Sequence, residues 1–114
     1  MPLQLNRLAA YLEGKAKAKR TVYYSEVVSH FNLEPLTEAW LSHELAAAFE
    51  RLDIEDTNAE RPFRTSVVVS KDNNMPGPGY FKSLHARKGI RANNDLERLT
   101  VFTRELTAAM NHPW

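Results

Sequence analysis

The side chains able to do chemistry are few and scattered along the chain. Histidines stand at His30, His43, His85 and His112, and no His-Glu-x-x-His pattern joins any two of them on one helix face. No metal site is expected from that spacing. Cysteine is absent, which removes disulfides, thiolate catalysis and cysteine-bound zinc together. No Gly-x-Ser-x-Gly element or Ser/His/Asp constellation can be assembled. Asp53, Glu55 and Asp56 cluster, but a run of acids between two apolar segments reads as a solvated loop. The chain is therefore read as non-enzymatic, with no cofactor. The loop Met75-Pro-Gly-Pro-Gly-Tyr-Phe81 has the glycine content of a phosphate-cradling loop. Pro76 and Pro78, however, lack the N–H groups such a loop would use. It reads instead as a stiff reversal, with Gly77 or Gly79 at positive φ in a type II turn and Met75, Tyr80 and Phe81 set on the core.

Charge offers more. From Glu26 to Glu60 there are nine acids and one base, Arg51, whereas the rest of the chain has fourteen bases and five acids. Eleven of those fourteen bases fall in two groups. One is Lys15, Lys17, Lys19 and Arg20; the other is Arg61, Arg64, Lys71, Lys82, Arg87, Lys88 and Arg91. Such asymmetry fits a polar binding face, or else internal ion pairing. Cations at 15 to 20 also suit the negative end of a helix dipole, so that run has a structural explanation of its own.

These residues need elements to position them, and the composition is that of a globular chain: 114 residues, 43% hydrophobic, 25% charged. No apolar run is long enough to span a bilayer, and no signal-peptide pattern opens the chain, so a cytoplasmic protein is expected. Leu5, Leu8, Ala9 and Leu12 predict a helix over residues 3 to 18. Thr21 to Tyr24 is β-prone, and Ser25 can cap a short helix from Glu26 to Phe31. Pro35 interrupts. Thr37 then caps a central helix to Leu52, with Leu41, Leu45, Ala48, Phe49 and Leu52 on one stripe and Ala39, His43, Ala46, Ala47 and Glu50 opposite. Trp40 and Phe63 read as core or interface aromatics rather than stacking platforms. Residues 53 to 62 read as irregular, and Arg64 to Ser70 as the clearest strand. A helix from Phe81 to Lys88 ends on Gly89 as its C′ residue. Asn94 with Glu97 makes a capping box for a last helix to Asn111, striped by Leu96, Leu99, Phe102, Leu106 and Met110.

The order helix, strand, helix, turn, helix, strand and loop resembles a winged helix-turn-helix domain. Arg20-Thr-Val-Tyr-Tyr-Ser-Glu-Val-Val28 is similar to the strand-to-helix junction of several such domains, including alkyltransferase-like DNA proteins. Their Pro-Cys-His-Arg motif has no counterpart here, so no alkyl transfer is implied. Residues 61 to 81 resemble small uncharacterised bacterial proteins that share a strand followed by a Met-Pro-Gly-x-Gly-aromatic loop. The fold implied is α+β and mostly helical: one winged-helix-like domain over 1–114, with a small antiparallel sheet and residues 94–114 as a C-terminal helical extension.

The function expected on these grounds is non-enzymatic nucleic-acid binding, to DNA. A basic wing would contact phosphates through Lys71, Asn73, Asn74 and Lys82. A basic patch would add Lys17, Lys19, Arg20, Arg87, Lys88 and Arg91. Glu38, Glu44 and Glu50 on the third helix oppose ordinary groove reading, because carboxylates are repelled by phosphates. The alternative is a protein–protein interaction module using the acidic, alanine-rich central helix. Interleaving of acids with bases would favour that alternative; separate faces would favour nucleic acid. A homodimer through the alanine face is also expected, in part because Val101 lies off the last helix's stripe. No membrane partner is.

Overall fold

The computed structural model describes residues 3–37 and 40–114. Helix α1 (Leu5–Lys17) buries Leu8, Leu12 and Ala16, spaced four apart along one face. It ends where Lys19 takes φ +56° and its N–H and that of Arg20 return to Ala16 and Lys15 carbonyls. Strand β1 (Val22–Tyr23) runs straight into α2 (Tyr24–His30), which starts one residue before the expected Ser25 cap. Glu26 fixes that start by accepting the Tyr23 N–H at 3.0 Å.

A 3-10 turn (Trp40–Ser42) precedes α3 (Glu44–Asn58). The expected start at Thr37 is corrected: the cap is His43. Its Nδ1 accepts the Leu45 N–H at 3.0 Å, and its Nε2–H donates to the Glu34 carbonyl at 2.7 Å. Leu41, expected on the buried stripe, lies in the preceding turn and is 92% exposed. At its other end α3 continues through the acids expected to form a loop, and it buries both Asp53 and Asp56. The alanine face has Ala46 half-buried and Ala47 exposed, while Glu38 and Ala39 lie outside the described residues.

The strand expected from Arg64 to Ser70 is mostly a 3-10 turn (Arg64–Val67), leaving β2 (Val68–Val69) two residues long. β2 pairs in parallel with β1, Val22 against Val68 and Tyr23 against Val69. This overturns the winged-helix expectation, because a wing is an antiparallel hairpin and the described residues form only this parallel pair. The physical cause is a buried carboxylate. Asp56, with no exposed side chain, accepts Arg64 N–H at 2.8 Å, Arg64 Nε at 3.0 Å and Arg61 Nε at 2.6 Å. That grip pulls residue 64 back onto α3 and curls the backbone where β-branched composition alone favours extension. The Arg64 guanidinium also reaches Glu13 at 2.9 Å and Glu55 at 3.2 Å. Burial alone would lower its proton affinity; the carboxylates, Asp56 foremost, reverse that and raise it above the ordinary value.

After β2 come α4 (Pro78–Lys88) and α5 (Asp95–Asn111). Two apolar clusters result, and β2 is the seam between them. Val68 joins Leu8, Leu12, Leu45 and Leu52; Val69 joins Phe63, Tyr80, Leu84 and Phe102. Successive strand residues face opposite ways, so two residues suffice to serve both. Helix α5 packs on α1 and the 64–67 turn, and it supplies Phe102 to the second cluster, so it is part of the core. Val101 packs there too and needs no second copy to cover it. Leu96 and Leu99, at 74% and 51% exposed, leave the first half of the expected α5 stripe uncovered. No described helix is long and apolar enough to cross a membrane.

The Pro-Gly loop also differs from expectation. Gly77 has φ −71° and caps α4, Pro78 is its first residue, and Gly79 lies within its first turn. Neither has positive φ; among described glycines only Gly89 does, at +69°. Gly79→Ala should therefore be neutral or stabilising by up to about 0.5 kcal/mol, since its Cβ would meet only Trp40 Nε1 at 3.6 Å. Gly89→Ala should cost about 1 kcal/mol. Urea midpoints of the two variants check the opposite signs. Removing the buried carboxylate by Asp56→Ala should cost about 3–5 kcal/mol, because Arg61 and Arg64 lose a partner inside the protein. A destabilisation under about 1 kcal/mol in the same titration would show that Glu13 and Glu55 hold Arg64 alone.

Candidate functional site

Three connections shape a cleft on one side of α4. The first is the turn after β2. Ser70 N–H donates to the Met75 carbonyl at 2.8 Å, Asn74 sits at φ +57°, and the Asn73 amide oxygen accepts the Met75 N–H at 3.0 Å. The Tyr24 hydroxyl then accepts the Gly77 N–H at 2.9 Å and sets where α4 begins. The second is the left-handed Gly89, which reverses the chain after α4. The third is the start of α5, where Asn94 accepts the Glu97 N–H at 2.9 Å and Glu97 accepts the Asn93 N–H at 2.9 Å.

The cleft so enclosed has a volume of about 1000 Å³. Its floor is apolar: Met75, Pro76 and Phe81 are half-buried or buried, with Leu99 at the edge. Its rim is polar, with Lys82, His85 and Arg91 exposed and the Arg98–Asp95 pair beside them. Asn73 and Asn93 add amides. Arg98 is held by Asp95 at 3.2 Å. Among the described residues Lys82 and Arg91 form no ion pair. Arg91 Nε donates to His85 Nε2 at 3.2 Å.

Of the residues proposed from sequence, the cleft gathers Asn73, Lys82 and Arg91, with Lys71 and Asn74 exposed in the turn that carries Asn73. Others are engaged elsewhere. Lys88 donates to Glu105 at 2.6 Å and to the Arg61 carbonyl at 3.0 Å, and it lies over the Phe63 ring. Arg87 reaches Glu50 at 3.3 Å, and its Nε is buried without a partner. Lys17, Lys19 and Arg20 sit at the end of α1, where Lys19 donates to Asn111 at 3.1 Å. Asn111 closes α5 while Asp95 opens it, so that patch and the cleft are separated by about 25 Å of helix. Sequence reading missed His85, Asn93 and Arg98. His85 was legible: Phe81, Lys82 and His85 fall on one face of a helix by spacing alone. Among the described residues no group of three or more His, Asp or Glu is placed to hold a metal ion. Comparison with protein-family models, with curated proteins and with solved structures finds no match.

Helix α4 is pinned from below. Asp53 accepts Ser83 Oγ and Thr65 Oγ1, each at 2.7 Å, and Ser66 Oγ pairs with the Tyr80 hydroxyl at 2.8 Å. Burial pushes the Asp53 carboxyl up to about 6, against the two hydroxyl bonds and with the help of nearby Asp56. Burial likewise raises Tyr80 well above its ordinary value.

The sign of the pH effect follows. Between 3.8 and about 6 the folded chain holds a proton on Asp53 that the unfolded chain has released. Its contribution to stability therefore declines as pH rises through that window, by up to about 3 kcal/mol. Asp53→Asn imitates the protonated form. Its stability relative to wild type, from urea unfolding at pH 4 and pH 7, should improve at the higher pH. A difference that does not change with pH would contradict the raised value.

Proposed function

We propose that this chain is a cytoplasmic, non-enzymatic nucleic-acid-binding protein, with DNA as ligand, and that it binds through the α4–α5 cleft. The observation that carries the reading is the division among the cations. Arg61, Arg64, Arg87 and Lys88 are matched by Asp56, Glu13, Glu55, Glu50 and Glu105. Lys82 and Arg91, which have no such partner among the described residues, border one cleft with the Asp95-paired Arg98, and Lys71 is exposed in the turn that contributes Asn73. Unpaired bases around a cleft are what a phosphate backbone requires. Asp95 also borders the cleft, where it is paired with Arg98, which leaves Lys82 and Arg91 as the cations available to a phosphate.

The rival reading, an acidic α3 that meets a basic partner, has less to work with. Asp53 and Asp56 are buried, and Glu50 and Glu55 are paired within the chain. The patch of Lys17, Lys19 and Arg20 is a separate surface and is not needed for the cleft to bind.

Fluorescence anisotropy with labelled DNA at several salt concentrations tests the reading. Binding should weaken steeply with salt. Lys82→Ala with Arg91→Ala should reduce affinity and flatten the salt slope by about two, one for each phosphate no longer neutralised. Lys17→Ala with Lys19→Ala should leave both nearly unchanged. No binding by wild type at low salt would remove the proposal.

A further inference from the structure

We infer that the cleft takes a single strand rather than a duplex, with a base stacked on Phe81 and the flanking phosphates held by Lys82 and Arg91. This rests on the cleft being a nucleic-acid site, and it follows from shape and from the chemistry of the floor. A protein reads a duplex by placing a protruding helix or ribbon in a groove about 12 Å wide. Here the face of α4 that carries Phe81, Lys82 and His85 is the wall of a concavity of about 1000 Å³, closed opposite by residues 91–93 and the first turn of α5. A lone strand can settle into such a cleft, whereas a duplex would meet mainly its rim.

The floor adds an independent argument. Phosphates have no use for Met75, Pro76 and Phe81, whereas an unpaired base presents an apolar π-face that stacks on an aromatic ring. Phe81 is prepared for this. Its ring meets Tyr80 edge-on, with centroids 5.2 Å apart, and Tyr80 is itself buried and bonded to Ser66. The ring is thus braced from the core while still lining the cleft. Asn73 has its amide oxygen committed to the Met75 N–H, which leaves its NH₂ to donate to a base edge or sugar. Cations above and an aromatic surface below form the combination that single-strand grooves use.

Wild-type protein is titrated at fixed salt with four labelled ligands: a single DNA strand of about ten nucleotides, its duplex, an abasic strand of equal charge and poly-glutamate. The single strand should bind at least about tenfold more tightly than each of the others. Phe81→Leu, which keeps an apolar side chain of similar bulk, should lose most of the preference over the abasic strand. Lys82→Ala should weaken the strand and the abasic strand alike. Equal affinity for duplex or abasic strand would overturn the inference and leave a simple polyanion site. Poly-glutamate binding as tightly as the strand would overturn it in favour of an acidic peptide ligand. Failure of every oligonucleotide to bind would remove the underlying reading as well.

Discussion

A carboxylate with no exposed surface must be surrounded by donors, because leaving water costs it several kcal/mol that only well-placed partners return. Asp56 meets that demand with the Arg61 side chain, the Arg64 backbone and the Arg64 guanidinium. The demand shapes everything downstream. It ends α3 against the next segment and curls residues 64–67. It also draws Glu13 of α1 and Glu55 of α3 to the same guanidinium. Trp114, at the far end of the chain, lies with its ring 5.8 and 5.9 Å from the two guanidinium carbons. Helix α1, helix α3 and the chain end thus converge on the Arg64 guanidinium.

The cleft inherits its shape from that arrangement at one remove. With residue 64 fixed, Thr65 and Ser66 are carried inward, and their hydroxyls meet Asp53 and Tyr80. Asp53 also holds Ser83, next in the chain to Lys82. Tyr24, just after β1, holds the backbone at Gly77, just before α4. The helix that carries Phe81, Lys82 and His85 is therefore fixed at its start and its middle by polar contacts, and by Tyr80 and Leu84 in the second apolar cluster. A wall so fixed holds Phe81 and Lys82 in a constant position at the cleft.

Local signals were legible in the sequence and distant ones were not. Asn94 with Glu97, the left-handed Gly89 and the Leu8–Leu12 spacing each act within one or two turns, and each predicts its element correctly. Asp53 and Asp56 read as a solvated loop because their partners lie beyond that range. Arg64 is eight residues from Asp56, and Thr65 and Ser83 are twelve and thirty from Asp53. Without those partners the acids had no reason to be helical and buried. The same blindness made Arg64 to Ser70 an extended strand and from it a wing. At Pro78 two local rules compete. Proline followed by glycine suits a type II turn, and proline also suits the first position of a helix; the helix prevails because Tyr80 and Leu84 have a cluster to enter. Among the site residues, Lys82 and Lys88 look alike as letters. Only the fold shows that Lys88 is consumed by Glu105 while Lys82 has no ion pair among the described residues.

The parallel pairing of β1 with β2 bears on how the chain reaches this form. Val22 and Val68 lie far apart in sequence, and each strand offers only two residues to the ladder. Closing so long a loop costs entropy that so short a ladder cannot repay. The longer helices α1 and α5 draw on contacts within a few turns, whereas the two strands are brought together only by the packing of the rest of the chain. The ladder therefore depends on the packing of the helices around it, and the seam between the two apolar clusters depends on the ladder.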